Sequence, residues 1–129
     1  MTKPSWKKFK RTVCFFMKNN DIELLNKIIS YCSDIESLMT KYNTNYDCYE
    51  SDISFQYSCN MCIIQIGELV GRLSDEFISE YSSIPWRAIK GMRNLHAHDY
   101  ENVDLEIVWN TLTEEIPQLK ENIFTIINK

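Results

Sequence analysis

The stretch "DIELLNKIISYCSDIESLMTKY", residues 21–42, decides the fold class, because its apolar residues recur every three to four positions. That period places the apolar side chains along one face of an α-helix. Asn20 and Glu23 have the spacing of a capping box, which predicts that the helix starts there. The stretch therefore predicts one long amphipathic helix whose apolar face carries Leu25, Ile28, Cys32, Ile35, Met39 and Tyr42.

Three further helices are predicted downstream. The polar stretch "NTNYDCYESD", residues 43–52, interrupts the period, and a second apolar stripe from Phe55 to Phe77 indicates a second long helix. A third helix should begin at about Ile84, because Pro85 is tolerated at a first helical position. A fourth should open near Asp104 and bend at Pro117, which removes a backbone hydrogen bond. We predict an all-α fold, an antiparallel four-helix bundle.

The length of the chain and the distribution of its charge indicate the number of domains and the kinds of partner it can bind. A chain of 129 residues is typical of a single domain. The net charge is −4, yet the first 18 residues carry six basic residues and no acidic one, so the remainder is strongly acidic. An acidic body excludes nucleic-acid binding through the whole surface, and any RNA contact has to come from a local cluster of cations.

The basic N-terminal segment fits none of the four helices. We interpret residues 1–16 as an extension that is disordered or lies upstream of the natural start, because Met17 directly precedes the first helix. Residues 17–129 then form a single helical domain. The alternative is a basic, aromatic-bearing arm that touches RNA.

Cysteine usage and hydropathy indicate a compartment. Five cysteines, an odd number without the spacing of a disulfide framework, indicate reduced thiols and a cytoplasmic protein. No segment approaches the roughly 20 apolar residues that span a bilayer, so no membrane partner is expected. Cys59 and Cys62 have zinc-like spacing, but no second pair exists and both lie on the apolar stripe. We predict core packing for both, and neither a metal nor a cofactor.

The segment "MRNLHAHDY", residues 92–100, contains both histidines of the chain. Histidine exchanges protons near neutral pH and arginine grips phosphate oxygens, which together supply what metal-free RNA cleavage needs. Asn94 shares a helix face with His98, and Arg93 shares one with His96. Arg93 and His98 point about 140° apart on an ideal helix, so they could cooperate only if the helix loosens or a second subunit contributes. On spacing alone, a solvated helix terminus favoured by the helix dipole is the better explanation of this segment.

Four segments together resemble the HepT-like branch of the HEPN superfamily over roughly residues 17–127: "QIGEL" at 65–69, "IPWRAIKGMRN" at 84–94, "HDY" at 98–100 and "LEIVWNTLTEEIPQL" at 105–119. The resemblance implies an all-α bundle that dimerises and cuts RNA without a metal. It also implies an R-x4-H-x-Y motif in the cleft between the subunits. Arg93, His98 and Tyr100 match this motif without a gap, and Asn94 follows the arginine as in the family.

The same resemblance implies a partner and a regulatory step. The partner is a minimal nucleotidyltransferase that acts as an antitoxin, using ATP to attach AMP to the motif tyrosine, here Tyr100. We therefore expect an endoribonuclease toxin in which His98 is general acid or base, Arg93 the phosphate clamp and Asn94 an orienting donor. The family motif does not require His96. Three roles stay open for it: a second catalytic group, a phosphate contact or a bystander. The alternative function is a module that binds a nucleotide or the nucleotidyltransferase without cutting RNA.

Other residues near the motif have both a functional and a structural interpretation. Glu68 could orient Arg93 or His98 across the bundle, or be a carboxylate paired for structural reasons. Arg87 and Lys90 could extend a cationic track for the RNA backbone, or belong to an ordinary exposed helix face.

Small and aromatic residues are assigned to packing. Gly67 and Gly71, four residues apart, should let another helix approach closely. Trp86 and Trp109 are predicted to anchor the core or a dimer interface rather than to stack on bases.

Overall fold

A computed structural model describes residues 17–129, and within that range every regular element is helical. The predicted all-α fold class is thus confirmed for the described part, whereas the interpretation of residues 1–16 lies outside the described residues. The helices are α1 (Asn19–Lys41), α2 (Tyr46–Ser51), α3 (Ile53–Val70), α4 (Asp75–Glu80), α5 (Trp86–His98), α6 (Leu105–Asn110) and α7 (Ile116–Ile127). A 3₁₀ turn (Tyr100–Asn102) follows α5, and a π-helical turn (Thr111–Glu115) joins α6 to α7. None of these helices is long and apolar enough to cross a membrane.

Helix α3 packs against α1 in the antiparallel sense. Tyr42, just after α1, stacks on Phe55 in the first turn of α3, with ring centroids 4.2 Å apart. At the opposite end, the buried carboxylate of Asp21 near the start of α1 accepts hydrogen bonds from the backbone N and the hydroxyl of Ser74, which follows α3. The contacts at the two ends pair the end of each helix with the start of the other.

Helix α5 packs on α3, also antiparallel, while α7 packs on α1. Asn60 in the first half of α3 contacts His96 near the end of α5, and Glu68 near the end of α3 contacts Arg93 earlier on α5. A 2.6 Å ion pair between Lys120 and Glu36 crosses from α7 to α1. Helix α3 therefore packs both against α1 and against the helix that carries the motif.

The predicted apolar face of α1 is confirmed, since its members from Leu25 to Met39 are buried. An aromatic cluster fills the centre beneath α2 and α6, where the buried rings of Tyr49 and Phe55 contact each other and Trp109. Trp86 is buried and donates its indole N–H to the carbonyl of Tyr81 at 2.9 Å. The prediction of core packing for Cys59 and Cys62 is also confirmed, because both are buried members of the core cluster.

Two predicted helix limits are wrong. The second apolar stripe is divided between two helices, because α3 ends at Val70 and Ser74 then caps α4 by accepting a hydrogen bond from the backbone N of Phe77. The predicted capping box is absent: Lys18 is the N-cap of α1 and makes no side-chain capping bond. A tertiary contact overrides the apolar period at the first of these limits, because the carboxylate of Asp21 holds Ser74 and so fixes the break between α3 and α4.

Other predicted limits differ by small amounts. Residues 43–52 contain the short helix α2 within the predicted break, capped by the side chain of Asn45. Helix α5 begins at Trp86 with Pro85 as its N-cap, two residues beyond the predicted start. The predicted fourth helix starts after Asp104 as expected but is divided into α6 and α7, and Asp104 accepts hydrogen bonds from the first turn of α6. The π-helical turn ends at Glu115, two residues before Pro117, whose missing N–H interrupts regular hydrogen bonding.

Candidate active site

Two glycines on and just after α3 allow the motif helix α5 to pack closely against α3. A Cβ atom added to Gly67 would overlap the Cβ of Arg93, and one added to Gly71 would lie 3.3 Å from Cε of Lys90. The two helices therefore approach closely at these positions, as their spacing predicted. Because Gly67 has no side chain, the backbone of Arg93 sits directly against α3, and its guanidinium extends along the helix surface.

The guanidinium of Arg93 connects three predicted site residues. Its Nη1 lies 3.2 Å from Oδ1 of Asn94 and 3.1 Å from Nε2 of His98. Its Nη2 donates to Oε2 of Glu68 at 3.4 Å, and its Nε lies 3.3 Å from Oε1 of the same carboxylate. The Nε contact has ion-pair distance without hydrogen-bond geometry, so this buried N–H has no hydrogen-bond partner among the described residues. Glu68 thus pairs with Arg93, a contact that both interpretations of this residue allow.

The contact between Arg93 and His98 requires one particular protonation state of the His98 imidazole. A guanidinium only donates hydrogen bonds, so Nε2 of His98 must accept, and the ring is then neutral with its proton on Nδ1. This tautomer is assigned from the hydrogen-bond pattern. His98 is exposed at the end of α5 and therefore presents a proton acceptor at the surface.

Arg93 and His98 meet within one chain, so the contact does not need a second subunit. Helix α5 ends at His98, and the following residue, Asp99, leaves the helical region with φ −143° and ψ 36°. Sequence reasoning left open a looser helix or a second subunit; the helix extends as far as His98 and ends there. The long side chain of Arg93 spans the remaining separation between the two helix faces.

His96 has a different environment from His98. It is 5% exposed and lies between α5 and α3, where its Nδ1 is hydrogen bonded to Oδ1 of Asn60. The side-chain nitrogen of Asn60 lies 3.4 Å from the His96 carbonyl, so the two residues are joined twice. Burial lowers the pKa of His96, because the charged imidazolium is poorly solvated there. These contacts favour the bystander interpretation, in which His96 fastens the motif helix to α3.

Tyr100 lies in the 3₁₀ turn that follows the motif helix. Its hydroxyl donates to Oε1 of Gln56 at 3.3 Å, and its ring meets the ring of Tyr57 edge-on at 5.9 Å. Burial, with smaller contributions from Tyr57 and Cys59, raises the pKa of Tyr100, so the hydroxyl stays protonated near neutral pH. Sequence reasoning missed Gln56, whose amide is anchored by the carbonyls of residues 49 and 50, because its position on α3 carries no local signal.

A polar groove of about 280 Å³ adjoins Arg93 between α3 and α5. Lys90 lines this groove, as the predicted cationic track requires, whereas Arg87 is exposed on α5 outside its lining. Arg72 also lines it and was missed by sequence reasoning. The only feature of the sequence that could have indicated Arg72 is its position four residues after Glu68, although it lies beyond the end of α3. The lining consists of Gly67, Glu68, Gly71, Arg72, Lys90, Arg93 and Asn94.

Histidine, cysteine and carboxylate side chains do not converge as a metal site in the part of the chain that the structure describes. No group of three or more such residues is placed to hold an ion there. The geometry around Arg93 instead combines a fixed positive charge with a proton acceptor and an amide, each within hydrogen-bond distance of the guanidinium. This combination suits acid–base chemistry at a phosphate.

Comparison with known proteins identifies a ribonuclease family. The family model described as "Ribonuclease HepT-like" matches residues 28–126. A protein of Caldanaerobacter subterraneus subsp. tengcongensis, provisionally named an RNase, is 41% identical over 64 residues, which span 50% of this chain and 57% of that protein. A protein of Methanocaldococcus jannaschii with a similar provisional name is 33% identical over 112 residues, which span 86% of this chain and 95% of that protein.

A third relative carries the family name. The protein of Thermococcus cleftensis named "Probable ribonuclease HepT" is 33% identical over 76 residues, which span 57% of this chain and 69% of that protein. No solved structure matches the chain significantly.

Proposed function

The chain belongs to the HepT-like ribonuclease family. From this membership we propose that it is an endoribonuclease whose side chains Arg93 and His98 cleave RNA without a metal. The observation that carries the proposal is the 3.1 Å contact between Nη1 of Arg93 and Nε2 of His98. It supplies a phosphate-binding cation and a proton acceptor at one exposed point of the surface.

The proposed reaction begins when a phosphate of the RNA binds to the guanidinium of Arg93. This displaces the guanidinium from His98 and frees the lone pair on Nε2 to take the proton of the 2′-hydroxyl. The 2′-oxygen attacks phosphorus, and Arg93 stabilises the extra negative charge of the pentavalent transition state. The bond from phosphorus to the 5′-oxygen then breaks, and the imidazolium returns its proton to that oxygen. The products are a 2′,3′-cyclic phosphate and a 5′-hydroxyl.

Asn94 and Glu68 have positioning roles in this scheme. Oδ1 of Asn94 accepts a hydrogen bond from Nη1 of Arg93, and the carboxylate of Glu68 lies against the opposite side of the guanidinium. Together they hold a flexible side chain in one orientation before substrate binds. Ordering the cation in advance reduces the entropy lost in the transition state.

We also propose that the long helices form an antiparallel four-helix bundle and that two copies of the chain form a homodimer. The support for a dimer is an exposed apolar stripe on α3, made of Ile53, Tyr57 and Met61, which are 56–58% exposed and four residues apart. Residues spaced by four lie on one helix face. Since the ring of Tyr57 contacts Tyr100, covering this stripe with a second copy would bring the two motifs towards one interface.

The proposed regulation is that of a toxin–antitoxin pair, in which a minimal nucleotidyltransferase uses ATP to attach AMP to the hydroxyl of Tyr100. The supporting observation is that this hydroxyl has one weak hydrogen bond, at 3.3 Å to Gln56, and lies two residues from His98. An attached AMP adds a negative phosphodiester and a bulky base two residues from His98. Both would oppose the binding of RNA.

The test of the proposed function compares the purified full chain with His98→Ala on single-stranded RNA in the presence of a chelator. Intact mass is measured first, so that only protein without added AMP is used. We expect cleavage by the unchanged chain and a loss of about 10²- to 10⁴-fold in the variant. Equal cutting by both proteins would indicate a contaminant. RNA binding without cutting would favour the non-catalytic binding module.

A further inference from the structure

The groove beside Arg93 contains two cations that the proposed cleavage step does not use. Lys90 projects from α5, and Arg72 lies just beyond the end of α3. Within residues 17–129, neither side chain has a carboxylate partner, and both are exposed. Glu68, the acidic residue of the lining, is already paired with Arg93. The groove therefore has an excess of positive charge inside an otherwise acidic body.

The fold brings these cations together from separate helices. Lys90 precedes Arg93 by one helical turn, which separates their Cβ atoms by about 5–6 Å. The stem of Lys90 lies across Gly71, immediately beside Arg72. A larger residue at Gly71 would crowd that stem. The three positive groups thus line one groove.

The chemistry of the lining indicates what part of an RNA would bind. The seven lining residues include no aromatic ring on which a base could stack. Cations without stacking partners bind the phosphate backbone and set its register, independently of base sequence.

We propose that Arg72 and Lys90 form a phosphate subsite for the nucleotide that adjoins the scissile phosphate at Arg93. The subsite rests on the proposed ribonuclease function, and it deepens that function by identifying the substrate as a strand with at least one additional backbone phosphate. The groove lies at the last turn of α3, and its lining includes both Arg93 and Arg72, so the adjoining nucleotide lies on the Arg72 side of Arg93.

A binding experiment tests the subsite directly. The full chain is titrated with a labelled RNA hexanucleotide whose scissile nucleotide is 2′-deoxy, so that it cannot be cut. Arg72→Gln and Lys90→Gln should each weaken binding about 3- to 10-fold and reduce the slope of log K against log salt by about 1. Arg72→Lys should restore most of the affinity. The matched control is Lys41→Gln, an equal loss of charge at the end of α1 that packs against the first turn of α3.

A cleavage experiment distinguishes a subsite from a general loss of activity. On a cuttable hexanucleotide, Arg72→Gln should raise KM by a similar factor with little change in kcat. On a dinucleotide, which has no adjoining phosphate, the variant and the unchanged chain should cut equally. Equal losses on both substrates, or binding and a salt slope unchanged from those of Lys41→Gln, would overturn the proposal.

The two proposals fail in different ways. If the unchanged chain binds the hexanucleotide but cuts neither substrate, the ribonuclease proposal fails, and weaker binding by Arg72→Gln and Lys90→Gln still supports a phosphate-binding groove. If the unchanged chain cuts RNA and both variants bind it as tightly as Lys41→Gln does, the subsite is refuted and the ribonuclease stands. Thermal unfolding of each variant verifies that substitution of these exposed residues has left the fold intact.

Discussion

Nη1 of Arg93 lies 3.1 Å from Nε2 of His98, although the two residues are five positions apart and would diverge on an ideal helix. Two features of the fold permit the contact. Gly67 lets the backbone of Arg93 rest on α3, and α5 ends at His98. The predicted chemistry therefore depends on residues outside the motif, and several substitutions should separate these contributions.

Gly67→Ala should destabilise the protein and reduce cleavage, because the added Cβ would overlap the Cβ of Arg93 and force α5 away from α3. Overpacking of this kind costs about 1–3 kcal/mol. The matched control is Gly91→Ala on α5, where an added Cβ meets nothing within 4 Å. Removing an exposed helical glycine should stabilise the protein by about 0.5–1 kcal/mol. Urea unfolding measures both changes, and equal stabilisation by both variants would contradict the close approach.

His96→Gln should alter the pH dependence of stability. Burial lowers the pKa of His96 below its ordinary value of 6.5, so in acid the unfolded chain binds a proton that the folded chain does not. The stability that follows from the neutral imidazole is complete above 6.5 and is lost as the pH falls below it. As the pH falls below 6.5, the free energy of unfolding should decrease more for the unchanged chain than for His96→Gln. Denaturant unfolding at several pH values measures this difference. Parallel pH profiles would show that His96 is not the titrating group.

Glu68→Gln should lower kcat by about 10-fold while changing stability by less than about 1 kcal/mol, because the pair with Arg93 is half exposed and its role is to orient the guanidinium. Glu36→Gln is a close control, since Glu36 pairs with Lys120 and has a similar exposure, 48% against 50%. Steady-state kinetics on one RNA compares them. If both variants retain full kcat, Glu68 has no positioning role.

Tyr100→Phe should abolish the gain of one AMP when the protein is incubated with its cognate nucleotidyltransferase and ATP, because the acceptor hydroxyl is gone. Its fold should change little, since the hydroxyl makes one long hydrogen bond to Gln56. Tyr57→Phe, on the exposed neighbour that contacts the Tyr100 ring, should still gain the mass. Intact-mass spectrometry gives the answer, and an adenylylated Tyr100→Phe would place the acceptor elsewhere.

Met61→Glu should convert the proposed dimer to a monomer, because it would place an unpaired charge in the apolar stripe of α3. Burying such a charge costs several kcal/mol, which weakens association roughly 100-fold or more. Phe124→Glu on α7 is the matched control, with an exposure of 57% against 56% for Met61. Light scattering coupled to size-exclusion chromatography reports the mass. A dimer that survives Met61→Glu but not Phe124→Glu would locate the interface on α7.

Much of the fold follows from local pattern, and the errors arise where distant contacts dominate. The period of α1 and the position of the motif at the end of α5 were predicted correctly, because both depend on neighbouring residues. The predicted helix from Phe55 to Phe77 failed, because Ser74 is held by Asp21, 53 residues away along the chain. A helical period cannot report such a constraint.

The candidate site likewise contains residues that the sequence predicted and residues that only the tertiary structure identified. Arg93 and His98 were identified from their residue types and from the family resemblance. The separation of His98 from the buried His96, and the presence of Arg72 and Gln56 near the motif, required the packing of α5 on α3.

By itself, the sequence determined that this protein is helical, where its main apolar face lies, and which short segment carries a cation, two imidazoles and a phenol. Only the tertiary structure decided which imidazole reaches the cation, which is buried, and which additional cation lies in the groove. The physical reason is that helix periodicity is a property of successive residues. The environment of a side chain depends on which helices meet, and here that depends on the absence of a side chain at Gly67.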